Sequence, residues 1–172
     1  MLALGILAVA ERSGRAPWAR NWPLLFLLLG AFLLLRSDPE TWPLGDVGFI
    51  ESLRDPEVLQ HRIFVVLIVG FAVFEWRVRT GRAKSPKAAL AFPLITAVGG
   101  ALLLTHSHAL SNLKDQMLIE MSHVPLALLG VAAGWTRWLE LRLDPRAGRI
   151  AAAIWPVCFV LVGLVLLAYR EA

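Results

Sequence analysis

Charged side chains are scarce in this sequence. Only 17% of its 172 residues are Asp, Glu, Lys or Arg, whereas about a quarter are charged in a typical soluble domain. Hydrophobic residues make up 58% of the chain, and its mean hydropathy is positive. This balance excludes an ordinary soluble domain. It predicts an integral membrane protein that is embedded in the lipid bilayer.

Cysteine is almost absent, and the sequence motifs of catalysis are missing. The single Cys158 lies within an apolar run, so the chain has neither a disulfide framework nor a CxxC metal motif. No phosphate-binding loop, GxSxG, HExxH or Rossmann fingerprint is present. Because no pair of nucleophile and base is recognisable, we predict that the protein is not an enzyme.

Positive charge is in excess, with a net charge of +4 and a pI of about 10.0. Such a balance can indicate nucleic-acid binding, but here the Lys and Arg residues fall in short loops between apolar runs. Basic loops mark the cytoplasmic side of a membrane protein. We therefore predict no nucleic-acid partner.

The apolar runs predict an all-α, polytopic transmembrane bundle that forms a single domain over residues 1–172. A crossing needs about 20 apolar residues, and about five stretches provide them: residues 17–36, 58–76, 88–106, 117–138 and 150–169. The apolar start, residues 1–10, has about half that length, and no basic residues precede it as they would in a signal peptide. We interpret it as a short partial helix, the tail of a longer one. We therefore expect the protein to be a shortened form of a larger kind of membrane protein.

The loops alternate in charge along the chain. Basic residues cluster before Trp18, after Trp76 and after Trp138, whereas the segment 37–60 is acidic and residues 108–116 hold a single lysine. The positive-inside rule places the basic loops in the cytoplasm and the other two segments outside. This predicts a multi-pass protein of a bacterial inner membrane, with a periplasmic C-terminus.

This topology brings all four histidines to one side of the membrane. His61 begins the second span, His106 and His108 end the third, and His123 lies a turn or two into the fourth. Ionisable groups in a membrane are costly and mark functional sites, and imidazole, carboxylate and thioether groups are metal ligands. The candidate metal site comprises His61, His106, His108, His123, Glu120, Met117 and Met121.

Helical geometry limits which of these side chains can share one ion. At about 100° per residue, His123 and Glu120 face one way, whereas Met121 lies roughly 160° from His123. We expect Glu120 to orient an imidazole and the methionines to pack more often than bind. His106 and His108 can chelate together only if the third helix ends at about His106, because in a helix they lie on opposite faces.

Copper is the first choice for this ligand set, because imidazoles bind it well and a methionine sulfur favours Cu(I). A b-type membrane electron carrier is an alternative, with haem b held by His123 and either His61 or His108. In a third interpretation the histidines bind nothing and form hydrogen bonds with Glu120, Thr105 or loop carbonyls. The chain is then a non-catalytic assembly subunit of a larger membrane complex.

The remaining polar, small and aromatic residues predict structural roles. Glu75 and Glu140 lie near Arg79 and Arg137 at cytoplasmic helix ends, which predicts interfacial ion pairs. Small residues permit close helix contact, and they occur at Gly99, Gly100, Gly130 and Gly134. The tryptophans, Trp18 and Trp22 among them, are placed at interface depth in an aromatic belt.

Five stretches of the sequence form a pattern when they are taken together. They are His61-Arg62-Ile63, Glu75-Trp76, Gly99 to His108, Glu120 to His123 and Gly134 to Trp138. The pattern resembles the membrane region of the copper-resistance protein D (CopD/PcoD-type) family, over about residues 22–169. The resemblance implies an inner-membrane protein that transports copper or passes it between periplasmic copper-carrying proteins and membrane partners. Members of the family are longer, which implies that a short member is a subunit of a complex or forms a homo-oligomer.

Overall fold

The structure, a computed structural model, describes residues 1–14, 16–105 and 113–168, without the side chains of residues 113–116, 118–120, 122 and 168. Its α-helices are α1 (Leu2–Arg12), α2 (Leu25–Arg36), α3 (Phe49–Ser52), α4 (Pro56–Arg79), α5 (Ala91–Leu103), α6 (Leu113–Arg142) and α7 (Ala147–Ala168). Two 3-10 helices, Pro17–Leu24 and Pro86–Leu90, lead into α2 and α5. Over the described residues there is no β-strand, which confirms the all-α class.

Several of these helices have the length and composition of membrane spans. Four segments among the described residues are long and apolar enough to cross a membrane: Pro17–Arg36, Pro56–Arg79, Pro86–Leu103 and Ala147–Leu167. They coincide with four of the five predicted spans. The remaining one, predicted at 117–138, is covered by α6, whose 30 residues rise about 45 Å, more than the roughly 30 Å of a bilayer core. The helices indicate a multi-pass membrane protein.

The ends of α4 follow from local sequence. The Asp55 carboxylate accepts hydrogen bonds from two backbone N–H groups of the first turn, and Pro56 occupies a position where its missing N–H costs nothing. At the other end, Gly81 has φ +70°, a left-handed conformation that glycine adopts without strain. Helix α4 therefore ends just before Gly81, and it is longer than the predicted 58–76 segment.

The start of α7 is capped in the same way. The Asp144 carboxylate accepts hydrogen bonds from the backbone N–H of Ala147, at 3.2 Å, and of Arg146, at 2.9 Å. These bonds favour the ionised carboxylate and hold the pKa of Asp144 below its usual range.

The helices pack around an aromatic interior. Neighbours in the bundle follow the order α2, α4, α5, α6, α7 and α1, and the 3-10 helix before α2 contacts α1. The interior cluster contains Trp22, Phe26, Phe71, Phe92, Trp155 and Phe159. The expectation that Trp22 lies in an interfacial belt is wrong, since Trp22 is 1% exposed. Its indole N–H finds a carboxylate partner inside the bundle and need not reach the interface.

Glycines bring α5 and α6 into close contact. A Cβ atom on Gly100 would lie 2.8 Å from the carbonyl oxygen of Ala127, and one on Gly134 would lie 2.7 Å from that of Pro93. Gly130 lies close to Gly100, whereas a Cβ on Gly99 would meet nothing within 4 Å. The packing prediction therefore holds for three of the four glycines.

The predicted N-terminal partial helix forms α1 and packs on α7. A Cβ atom on Gly5 would lie 2.9 Å from the carbonyl oxygen of Pro156, so the two backbones touch. Leu4 and Ala8 of α1 are buried in the core. This short helix is thus an integral part of the bundle.

The two ends of the bundle carry different polar groups. We call the end where α4 and α6 begin and α5 finishes the histidine end. The opposite end, where α4 and α6 finish and α7 begins, we call the ionic end.

Candidate functional site

At the histidine end, His61 is buried beside a carboxylate. Its Nδ1 atom lies 2.9 Å from Oδ1 of Asp38, and the two residues are 9% and 5% exposed. The Ser37 hydroxyl donates to the second carboxylate oxygen of Asp38, at 2.7 Å. Asp38 therefore lies between a hydroxyl and an imidazole.

The next residue, Arg62, fixes the loop that carries Asp38. Its guanidinium donates to the carbonyl of Leu34 at the end of α2, to the hydroxyl of Thr41 and to the carbonyl of Trp42, at 2.6–3.0 Å. This arginine closes the last turn of α2, where carbonyl groups lack helical partners. We call residues 37–55 the acidic loop, and it is anchored to α4 by His61 and Arg62.

Helix geometry places His61 and His123 at similar depth. At the ionic end, Nη2 of Arg137 on α6 lies 3.8 Å from Oε1 of Glu75 on α4, so these two residues mark one level. Fourteen residues separate Glu75 from His61, and fourteen separate Arg137 from His123. Fourteen helical residues rise about 21 Å and return to within about 40° of the same face. Both histidines therefore lie about 21 Å from the ionic pair, near the helix faces that carry Glu75 and Arg137.

Helix α5 ends close to the position that an H-x-H chelate requires. Its last residue is Leu103, three positions before His106. The Arg137 guanidinium lies 5.7 Å from the centre of the Phe92 ring, so Phe92 marks the level of the ionic end on α5. Leu103 follows Phe92 by eleven residues, so α5 ends about 16 Å from that level, toward the histidine end. His106 and His108 themselves lie outside the described residues.

The other predicted ligands lie on the first turns of α6. Met117 and Met121 are 53% and 68% exposed, which is typical of side chains that face lipid or water. Glu120 lies in α6, but its side chain is outside the described residues, and His123 is half-buried. Among the predicted ligands whose side chains are described, the two histidines lie at similar depth and the two methionines lie at the surface.

At the ionic end, three carboxylates and three guanidinium groups form a network. Its members are Glu11, Arg12, Glu75, Arg79, Arg137 and Glu140. The formal charges cancel, and the residues come from α1, α4 and α6. A neutral network of this kind can hold three helices together without a net charge in the apolar interior.

The predicted pairs within this network are confirmed. Nε of Arg79 lies 2.7 Å from Oε1 of Glu75, and Nη1 of Arg137 lies 2.8 Å from Oε2 of Glu140. Glu75 is buried inside the bundle, at 1% exposed. Its contact with Arg79 lacks hydrogen-bond geometry, so the attraction there is mainly electrostatic.

Helix α1 and two tryptophans complete the network. Arg12 lies 2.8 Å from Glu140, and Glu11 pairs with Arg79. The indole N–H groups of Trp22 and Trp155 donate to Glu11 and Glu140, at 2.9 and 2.8 Å. The Arg79 guanidinium also lies 4.8 Å from the Trp22 ring, within cation–π range.

Sequence reasoning missed Asp38, Glu11 and Arg12. Asp38 is one of several carboxylates in an acidic segment, and its only distinguishing signal is its position two residues after a helix that ends at Arg36. Glu11 and Arg12 close an apolar stretch, where a charged pair is conspicuous. In each case the partner lies far away in sequence, so no local pattern identifies it.

A complete metal centre is not contained in the described residues. Within residues 1–14, 16–105 and 113–168, no group of three or more His, Cys, Asp or Glu side chains is placed to hold a metal ion. No protein-family model matches the chain, and no curated protein or solved structure matches it.

Proposed function

We propose that this chain is a copper-handling protein of a bacterial inner membrane and a member of the copper-resistance protein D family. In this proposal imidazoles at the histidine end bind copper, and the protein transports the ion or passes it to a partner. The observation that carries the proposal is the common depth of two histidines on α4 and α6, His61 buried and His123 half-buried.

The donor groups fit copper. Imidazole nitrogen is a good ligand for copper ions, and histidine ligands usually hold a carboxylate or carbonyl on their second nitrogen, as His61 does with Asp38. We assign His106 and His108 as further ligands, because they follow α5 directly where that helix ends at the histidine end. The exposed Met117 and Met121 are not required.

Orientation and partners belong to the same proposal. In this proposal the ionic end, with the basic loops after α4 and α6, lies in the cytoplasm, and the histidine end faces the periplasm. A periplasmic copper-carrying protein is then the natural donor or acceptor, with a second copy of the chain or a larger membrane complex as an additional partner. A C-terminal alkaline phosphatase fusion should be active, since α7 runs from the ionic end outward.

The test is metal analysis of the purified full chain, combined with its visible spectrum. We expect stoichiometric copper without a haem absorption band. Replacing both His61 and His123 by alanine should remove copper binding, whereas the matched double variant Met117→Leu/Met121→Leu, altered at exposed positions of α6 near His123, should retain it.

Two outcomes would overturn this proposal. A Soret band with a sharp reduced α-band would assign His61 and His123 as axial ligands of haem b in an electron carrier. A colourless protein that binds no copper would leave the third interpretation, an assembly subunit of a membrane complex.

A further inference from the structure

The contact between Asp38 and His61 joins two elements that are distant in sequence. Asp38 lies at the start of the acidic loop, and His61 lies in the second turn of α4, 23 residues later. Both side chains are buried, and their atoms are 2.9 Å apart. A buried carboxylate is costly unless it has partners, so its placement against this imidazole needs an explanation.

The backbone around Asp38 is held firmly. Its carbonyl oxygen accepts hydrogen bonds from both the N–H group and the hydroxyl of Thr41, at 3.0 and 2.9 Å. Thr41 in turn accepts a hydrogen bond from Arg62 of α4. The carboxylate thus has little freedom to move away from His61.

We propose that Asp38 is the positioning residue for His61 in the copper site, a role that rests on the proposed function. Its carboxylate accepts the Nδ1–H of the imidazole and so selects one tautomer. The other ring nitrogen, Nε2, is then unprotonated and lies on the far edge of the ring, where it can coordinate an ion.

The size of the effect follows from such carboxylate–histidine pairs in general. Loss of the outer partner of a ligating histidine lowers metal affinity by about 10- to 100-fold. Asp38→Asn keeps the shape of the side chain, but it removes the charge and introduces an N–H donor toward the imidazole. We therefore expect copper affinity to fall by about that factor.

The first measurement is copper affinity of the purified full chain. Asp38→Asn is compared with Asp46→Asn, which removes the same charge from an exposed position on the same loop. We expect Asp38→Asn to weaken copper binding by about 10- to 100-fold, while Asp46→Asn stays within about twofold of the parent protein. Equal helix content in all variants, from circular dichroism, establishes that they fold.

The second measurement needs no copper. In the copper-free chain labelled with ¹⁵N-histidine, the His61 signals are identified by their loss in His61→Gln. At about pH 8, where an ordinary imidazole is neutral, we expect His61 to be protonated on Nδ1 in the parent protein and in Asp46→Asn. In Asp38→Asn the proton should be shared between the two nitrogens.

These measurements separate the two proposals. If the parent protein binds no copper but His61 changes tautomer in Asp38→Asn, the proposed function fails while the carboxylate still sets the imidazole. If copper binds and depends on His61, but affinity and tautomer are unchanged in Asp38→Asn, the role of Asp38 is refuted. If copper binding does not depend on His61, the role of Asp38 is refuted as well.

Discussion

The two ends of the bundle bury charge in different ways. At the ionic end, each guanidinium of the network is paired with a carboxylate, and the formal charges cancel. At the histidine end, the buried Arg62 forms no ion pair within the described residues and is held by one hydroxyl and two carbonyl oxygens. The nearby carboxylate of Asp38 contacts His61 instead.

This difference suggests different tasks. A neutral network that ties α1 to α4 and α6 has the properties of a structural clamp, because each charge is compensated by a neighbour from another helix. At the histidine end, a buried carboxylate contacts an imidazole, and the Arg62 guanidinium has no carboxylate partner among the residues that the structure describes. Departures from locally optimal pairing are expected at functional sites. We therefore expect the ionic end to stabilise the fold, and the contrast supports the proposal that the histidine end binds the ligand.

The largest effect should follow from Glu75→Gln, which tests the clamp. The change leaves Arg79 and Arg137 near an uncharged group, and breaking a buried ion pair costs about 3–5 kcal/mol. We expect the free energy of unfolding in detergent to fall by that amount. Copper affinity of the molecules that remain folded should not change.

The control for this prediction is Glu51→Gln, at an exposed position of the acidic loop. Its free energy of unfolding should stay within about 0.5 kcal/mol of the parent value. If Glu75→Gln is as stable as Glu51→Gln, or if it loses copper affinity while folded, the division of tasks between the two ends is wrong.

Removing Arg62 probes the other end, with a smaller expected loss. Arg62→Ala leaves the carbonyls of Leu34 and Trp42 without their donor, and hydrogen bonds to charged groups contribute about 1.5–3 kcal/mol. The acidic loop should also become sensitive to proteases, since the guanidinium anchors it to α4. Arg54→Ala, exposed on the same loop, serves as the matched control. A resistant loop in Arg62→Ala would show that another contact anchors it.

Two neighbouring glycines, Gly99 and Gly100, test the close contact between α5 and α6. In Gly100→Ala the new methyl group meets backbone atoms of α6 at 2.8 Å, which should cost about 1–3 kcal/mol through overpacking. Gly99→Ala adds the same group in open space and should leave the free energy of unfolding unchanged or slightly higher. Thermal unfolding of the two variants decides the matter. Equal melting temperatures would mean that α5 and α6 do not touch at Gly100.

Local sequence patterns predicted the helices but not the contacts between them. The apolar runs and the Asp55-Pro56 and Gly81 signals define α4 closely, because each acts within a few residues of its own position. The pair of Glu11 with Arg79 spans 68 residues, and Asp38 with His61 spans 23. Nothing in a single sequence selects these partners from the other charged residues. Trp22 was misplaced for the same reason, because its carboxylate partner becomes apparent only after folding.

The smallest effect concerns Asp144, which lies at the ionic end but outside the network. Its lowered pKa means that the ionised cap stabilises the folded chain above the ordinary carboxyl pKa, and that this contribution is lost as pH falls through the lowered value. Asp144→Ser keeps a capping oxygen without the charge. Its deficit in melting temperature relative to the parent should therefore be small at neutral pH and should shrink on acidification below about pH 4. A deficit that grows on acidification would contradict this assignment of the Asp144 cap.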